Sequence, residues 1–397
     1  MSEPRPVQVD QTDHLFRRNP SAPLPTVVRG EGVFLYDESG KRYLDGSGGA
    51  LVAGIGHGVR EVADAVAQQM AQVSYAHGTQ FTVPAQTALA ARLADLTPGD
   101  LSRVYLVSGG SEATESAIKL SRQYQVAAGR AEKHLVISRW LSYHGSTLGA
   151  LSMTGHHYRR RPYRPLLIDF PHIPPSYCYR CPFDLTYPSC GIRCATILED
   201  TIRQTGPEYV AAFIAEPIVG AAAGAIVPPP EYFPIIRAIC DRYDVLLIAD
   251  EVMTGIGRTG RNFAIDHWQV VPDLITTGKG VSGGYAPLGA LIARESIFET
   301  ISGTASGFVH GHTYGGHPPS AAAGAAVLKY LTDHDLVEAA ERQGEYLFDR
   351  LRRLAERPTV GDVRGKGLMA GIEFVRDKAT KEPFPRAAGY AERLGRG

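Results

Sequence analysis

The chain has 397 residues, 44% of them hydrophobic and 21% charged, which is the composition of an ordinary globular protein. Lysine plus arginine and aspartate plus glutamate number 41 each, so the formal net charge is zero, which argues against a nucleic acid or an acidic membrane held by bulk charge. A single core rarely grows beyond roughly 250–300 residues, so two structural units are expected; no run approaches the ~18 apolar residues of a membrane helix.

The opening stretch, MSEPRPVQVDQTDHLFRRNPSAPLP, is polar and proline-rich. It reads as an extended arm without the apolar core of a signal peptide, so a cytoplasmic location is expected. GVFLYDESGKRYLDG alternates around a turn at Glu38 to Gly40 and reads as a hairpin. GVREVADAVAQQMAQV has helical apolar spacing, and VPAQTALAARLADL is a second helix with Pro84 near its start. A different rhythm follows. RVYLVS, HLVIS, AAFIAEP, VLLIAD, DLITTG and LGALIA are short runs, apolar throughout, and helical stretches separate several of them. That pattern predicts an α/β architecture with strands buried on both faces of a mostly parallel sheet. PPSAAAGAAVLKYL and DLVEAAERQGEYLFDRLRRLAE then read as long helices, LMAGIEFV as a strand and AERLGRG as a helix. The expected division is an N-terminal arm with part of a small α+β domain at 1–70, a large domain at 71–317, and the rest of the small domain at 318–397.

In open α/β sheets, ligands bind beyond the carboxyl ends of the strands. Four strand ends carry chemistry here. RVYLVS runs into GGSEATESA, a helix start whose free N–H groups suit an anion and whose Gly109 and Gly110 let the backbone come close. Neither the Walker spacing nor the dinucleotide glycine spacing is present. AAFIAEP ends at Glu216, VLLIAD at Asp250 and DLITTGKG at Lys279. Taken singly, each is as well explained by a turn, a cap or a solvated charge. Together they match pyridoxal 5'-phosphate, which carries an anionic phosphate, an aldehyde that condenses with an amine, and a ring nitrogen that must stay protonated. A carboxylate beside that nitrogen favours its charged form, a role that fits Asp250, while Lys279 fits the covalent link to the aldehyde.

LLIADEVMTGIGRTG followed by DLITTGKGVSGGYAPLGA resembles the signature of class III aminotransferases, pyridoxal-phosphate enzymes of fold type I. SGGSEATESAIKLSR, YHGSTLGALS, AEPIVGAAAG and HGHTYGGHP are similar to the family's other blocks and occur in its order. The resemblance implies that Lys279 joins the cofactor and shuttles the substrate proton, while Asp250 pairs with the ring nitrogen. Val252 would pack on one ring face and Tyr143 on the other, with His144 completing the family's YHG element. Gly110 and Ser111 would hold the phosphate, and Thr313 would reach the phosphate of a neighbouring subunit, implying a homodimer with shared sites. Glu216 would sit near the substrate and the ring's phenolic oxygen. The implied activity is ping-pong transamination from an ω-amino acid or amine to pyruvate or 2-oxoglutarate. A racemase, an aminomutase or a decarboxylating aminotransferase on the same cofactor are the alternatives, with a zinc-containing binding module as the alternative of a different class.

Relatives normally continue for some tens of residues past the GLMAGIEFV strand, so the small domain is expected to be incomplete. CYRCPFDLTYPSCGIRC gathers Cys178, Cys181, Cys190 and Cys194, which read equally as a zinc site, reduced thiols or two disulfides; no metal is assigned. Cys240 reads as a buried thiol. HHYRRRPYR, His156 to Arg164, reads either as a guide for anionic substrates or as a solvated loop. Tyr179 and Arg180 are candidates for the site rim, Arg364 for structural hydrogen bonding and Leu51 for a pocket lining.

Overall fold

A computed structural model of the chain describes residues 14–18, 24–385 and 388–390. The expected AERLGRG helix and most of the N-terminal arm lie outside these residues. The expected hairpin forms from β2 (Phe34–Asp37) and β3 (Arg42–Leu44). Its turn is fixed by Asp37, whose Oδ1 accepts the backbone N–H groups of Ser39 and Lys41, each at 3.0 Å. A strand not expected from the sequence, β1 (Val27–Glu31), pairs antiparallel with β2. Helices α1 (Arg60–Gln72) and α2 (Pro84–Leu96) follow as the periodicity predicts, the latter with proline in its first turn.

All six apolar runs become strands. They are β4 (Leu101–Val107), β5 (Leu135–Arg139), β7 (Val210–Ala215), β8 (Leu246–Asp250), β9 (Leu274–Thr277) and β10 (Gly289–Arg294). A short β6 (His172–Ile173) completes a seven-stranded sheet in the order β4-β10-β9-β8-β7-β5-β6. β10 is antiparallel to both its neighbours; every other pairing is parallel. The reason is local: residues 278–288 join β9 to β10 with no helix long enough for a crossover. Because β10 reverses between them, β4 and the five remaining strands still end on one edge of the sheet.

The sheet is buried on both faces, so its residues split by parity. Phe213, Ala215, Leu247, Ala249 and Ile275 join a core shared with α2, α5 (Arg193–Thr205) and α6 (Tyr232–Arg242). Ala212, Ile214, Ile248 and Leu274 face the opposite core with Ala117 and Leu120 of α3 (Gly110–Ala127), Met153 of α4 (Leu148–Met153) and Ile297 of α7 (Glu295–Ser302). Fully burying each large aliphatic side chain contributes about 1.5–3 kcal/mol, so this two-sided layer is where the strand ends acquire fixed positions. α8 (Pro318–Asp333) adds Ala321, Leu328 and Leu331 to the first core, although it opens the expected C-terminal unit.

β11 (Val360–Lys366), β12 (Met369–Asp377) and β13 (Glu382–Pro383) form a separate antiparallel sheet. Only β12 was legible as a strand. Arg364 behaves as expected, donating to the carbonyls of Ala223 (2.7 Å) and Gly224 (2.8 Å) and to Asp362 and Glu373. Arg180 also pairs with Glu373 and donates to the Lys381 carbonyl at 2.7 Å. It therefore fastens the cysteine loop to this sheet. All five cysteines are free, with Cys240 buried, and Cys194 is pushed up to about 12 by burial. Among the described residues no group of three or more His, Cys, Asp or Glu is arranged to hold a metal ion. No helix described is long and apolar enough to cross a membrane.

The loop after Asp250 threads beneath α9 (Leu336–Leu354). Gly257 and Gly260 have φ near +80°, and a Cβ on Gly260 would come within 2.8 Å of the Glu341 Cβ. Further along α9, a Cβ on Gly344 would meet the Gly367 backbone at 2.5–2.6 Å, and Gly367 is itself packed on Thr259. Neither partner has a flexible side chain that could yield. Gly344→Ala should therefore lower the unfolding free energy by about 1–3 kcal/mol despite alanine's better helix propensity. Urea titration checks this; a variant as stable as the parent would contradict the packing described.

Candidate active site

The residues singled out from the sequence converge on the carboxyl edge of the sheet. Asp250, the last residue of β8, is 3% exposed. A carboxylate in that position needs donors, and it has two. His144 Nδ1 donates to Oδ2 at 2.7 Å and the Val252 backbone N–H donates to Oδ1 at 3.2 Å. The tie between His144 and Asp250, 106 positions apart, was not foreseen. Glu251 points elsewhere. It is fully buried, receives hydrogen bonds from Thr254 Oγ1 and the Ile265 N–H, and is pushed up to about 7 by burial. The two adjacent acids thus divide the work, one for the crevice and one for folding the loop.

Glu216 follows β7 and is 3% exposed. Its two oxygens accept the N–H groups of Tyr143 (2.8 Å) and Gly220 (2.7 Å). Burial raises its pKa, with His144 opposing and the like charge of Asp250 assisting. Behind it, Arg139 is completely buried and donates to the Glu216 carbonyl, with Tyr232 beneath the guanidinium at 5.6 Å. Nothing in the sequence points to this arginine beyond its place at a strand end.

Lys279 opens a helical turn after β9 with φ +46°, a left-handed conformation for a non-glycine residue. Its amine makes no hydrogen bond or ion pair among the described residues. Burial lowers its pKa, against the opposing charges of Asp250 and Glu216. At the fourth strand end, Gly110 begins α3 and a Cβ there would sit 2.7 Å from Val252 Cγ1, so only glycine lets the loops of β4 and β8 meet this closely. Ser111 Oγ accepts the Ser146 N–H at 3.1 Å, while Tyr143 Oη and Ser146 Oγ are hydrogen-bonded at 2.8 Å. Gly110, Ser111, Tyr143, His144, Glu216, Asp250, Val252 and Lys279 are therefore linked by short contacts or by charge. Thr313 stands apart. It is exposed, and its carbonyl accepts from Tyr75 Oη at 3.1 Å. Leu51 lines a cavity of about 150 Å³ with Met253 and Gly280, adjoining Lys279.

The donor set fits pyridoxal phosphate. An 18-residue helix presents its first N–H groups beside Gly110 and Ser111, a buried carboxylate is held in place by a histidine, and a desolvated amine lacks a partner. The fold and this constellation define an aminotransferase of pyridoxal-phosphate fold type I. The class-III aminotransferase model matches residues 16–392, and the chain belongs to that family, whose members use pyridoxal phosphate. It is 44% identical to the uncharacterized aminotransferase YodT of Bacillus subtilis (strain 168), over 94% of this chain and 84% of that protein. It is 40% identical to the taurine–pyruvate aminotransferase of Bilophila wadsworthia, over 92% of this chain and 80% of that one. An (S)-enantioselective omega-transaminase from Thermomicrobium roseum superposes with a TM-score of 0.88 at 44% identity, covering 92% of this chain and 81% of its own.

In the apoprotein the Lys279 amine should titrate below an ordinary lysine. Asp250→Asn should lower it further, because the aspartate charge favours the ammonium form. The pH dependence of amine labelling, followed by mass spectrometry of the Lys279 peptide, checks both directions. An upward shift in the variant would contradict the electrostatics described.

Proposed function

We propose that the protein transfers an amino group from an ω-amino acid or amine to a keto acid, pyruvate or 2-oxoglutarate, in two half-reactions, working as a homodimer. The observation that carries this reading is the unpartnered, desolvated amine of Lys279 at the same sheet edge as the Asp250–His144 pair. Pyridoxal phosphate, when bound, supplies the carbonyl that takes up the amino group and the ring that withdraws electrons from the substrate carbon.

The chain's own residues do the rest. Lys279 Nζ holds the cofactor and takes and returns the substrate proton; its lowered pKa leaves more of the amine in the basic form near neutrality. Asp250 keeps a proton on the ring nitrogen, and His144 fixes which way its carboxylate faces. Val252 and Tyr143 would hold the ring. Gly110 and Ser111 receive the phosphate at the start of α3. Glu216 fixes Tyr143 through the backbone and lies within electrostatic reach of Lys279. Thr313, exposed in its own chain, is free to serve the phosphate of a neighbouring copy. The 40% identity to a taurine–pyruvate aminotransferase supports pyruvate as acceptor and a donor with its acid and amine at opposite ends.

Holoenzyme incubated with a donor panel and pyruvate should produce alanine. Lys279→Ala should reduce turnover by at least roughly 10²–10⁴-fold, the usual contribution of a positioned proton-transfer group. Borohydride treatment of the parent should leave a cofactor adduct on the Lys279 peptide. Near-parental alanine formation by the variant, or an adduct on a different lysine, would overturn the assignment.

A further inference from the structure

HHYRRRPYR carries three consecutive arginines with three different fates. Arg160 is consumed by the fold: its Nη1 donates to the carbonyls of Ser152 and Thr154 (2.5 and 2.8 Å) and lies 3.1 Å from His172 Nε2. Arg161 is exposed, as is Arg164 beyond it. Arg159 turns inward from the short helical turn His157–Arg160. Its guanidinium carbon stands 4.6 Å from the centroid of the Tyr143 ring, and the side chain is partly buried.

Among the described residues no carboxylate pairs with this cation. Among the described residues the Arg159 guanidinium makes no hydrogen bond and no ion pair; only its backbone N–H is used, donating to the His156 carbonyl at 3.1 Å. The two acids of the crevice are already committed, Glu216 to the N–H groups of Tyr143 and Gly220, Asp250 to His144 and Val252. A guanidinium cannot shed its proton to escape desolvation. A ring face offsets only about 0.5–2 kcal/mol, and leaves five donors unused. The charge of Arg159 also reaches Lys279, where it opposes protonation of the amine. A planar fork of donors beside the reacting centre, with no acceptor among the described residues, matches a carboxylate or sulfonate.

We propose that Arg159 receives the acidic group of the amino donor, at the end remote from the reacting amine, so that the site selects ω-amino acids over simple amines and diamines. This rests on Lys279 being the reacting amine. The remote end is favoured because Arg159 acts on Lys279 through its charge alone, without touching it, whereas the carboxylate of a 2-keto acid is bonded directly to the reacting carbon. A second ammonium, as in a diamine, would meet a like charge there.

Steady-state kinetics of the holoenzyme with pyruvate test this, using 3-aminopropanoate, butylamine and 1,4-diaminobutane as donors. Arg159→Met keeps most of the stem and removes the charge. It should lower kcat/KM for 3-aminopropanoate roughly tenfold to hundredfold, chiefly through KM, as expected for lost charged hydrogen bonds. Butylamine should change by less than about threefold and the diamine should improve. Arg159→Lys should restore part of the 3-aminopropanoate activity, and Arg161→Ala should match the parent. An equal loss with butylamine and 3-aminopropanoate would show that the arginine only braces Tyr143, and would overturn the proposal. So would an increase confined to the KM for pyruvate. Failure of the parent enzyme with all three donors would sink the proposal together with the reading of Lys279, and is distinguishable because it requires no substitution.

Discussion

The site depends on keeping one carboxylate where water cannot reach it. Asp250 ends a strand flanked by strands on both sides and packed on both faces, and an ion there without donors would cost several kcal/mol. His144 Nδ1, 2.7 Å away, meets that requirement, and so ties the loop after β5 to the end of β8. Tyr143 is carried by the same loop, so the aromatic face of the crevice is placed by the histidine next to it. Glu216 pins Tyr143 from the β7 side through the backbone N–H. Three strand ends are thus registered to one another before any cofactor is considered.

Much of this was legible in the sequence because strands buried on both faces leave an unmistakable signal. VLLIAD is apolar from Val245 to Ala249 and stops abruptly at an acid, and DLITTG carries only Leu, Ile and two threonines between its acid and its glycine. What such runs cannot state is direction. LGALIA is buried on both sides in β10 just as it would be in a parallel strand, and only the short connection from β9 betrays the reversal. β11 escaped for the opposite reason. VGDVRGK carries Asp362, Arg364 and Lys366; Arg364 pairs with Asp362 in its own strand and Glu373 in the adjacent one, and its other donors reach the carbonyls of Ala223 and Gly224, the latter 140 positions away. The same holds for Arg180, whose partner Glu373 lies 193 positions away. Pairings of that kind have no local pattern to reveal them.

The Gly-rich loop after Asp250 shows how the two C-terminal elements bear on the crevice. Gly257 and Gly260 adopt backbone conformations that suit glycine, and both lie directly against α9. Gly344 of α9 rests in turn on Gly367, at the turn between β11 and β12, and the Leu368 N–H donates to the Arg258 carbonyl at 3.0 Å. The antiparallel sheet therefore buttresses the loop that leads out of Asp250. Glycines in this segment serve close approach, which restricts motion.

Charge within the crevice follows the availability of partners. Asp250 has a donor on each oxygen. Lys279 has none, and burial moves its amine toward the neutral form; Glu216, despite two backbone donors, is moved toward its neutral form by the same cause. Both shifts lower the cost of ionisable groups in a poorly solvated space, and both suit proton exchange, since neither group holds its ordinary charge as firmly as in water. Arg159 has no such freedom. Its charge is permanent, its guanidinium lies over the Tyr143 ring, and the acids of the crevice are held by other donors, so an anion brought from outside would balance it. The asymmetry between a lysine that can become neutral and an arginine that cannot gives the crevice two distinct ends, one suited to an amine and the other to an acid.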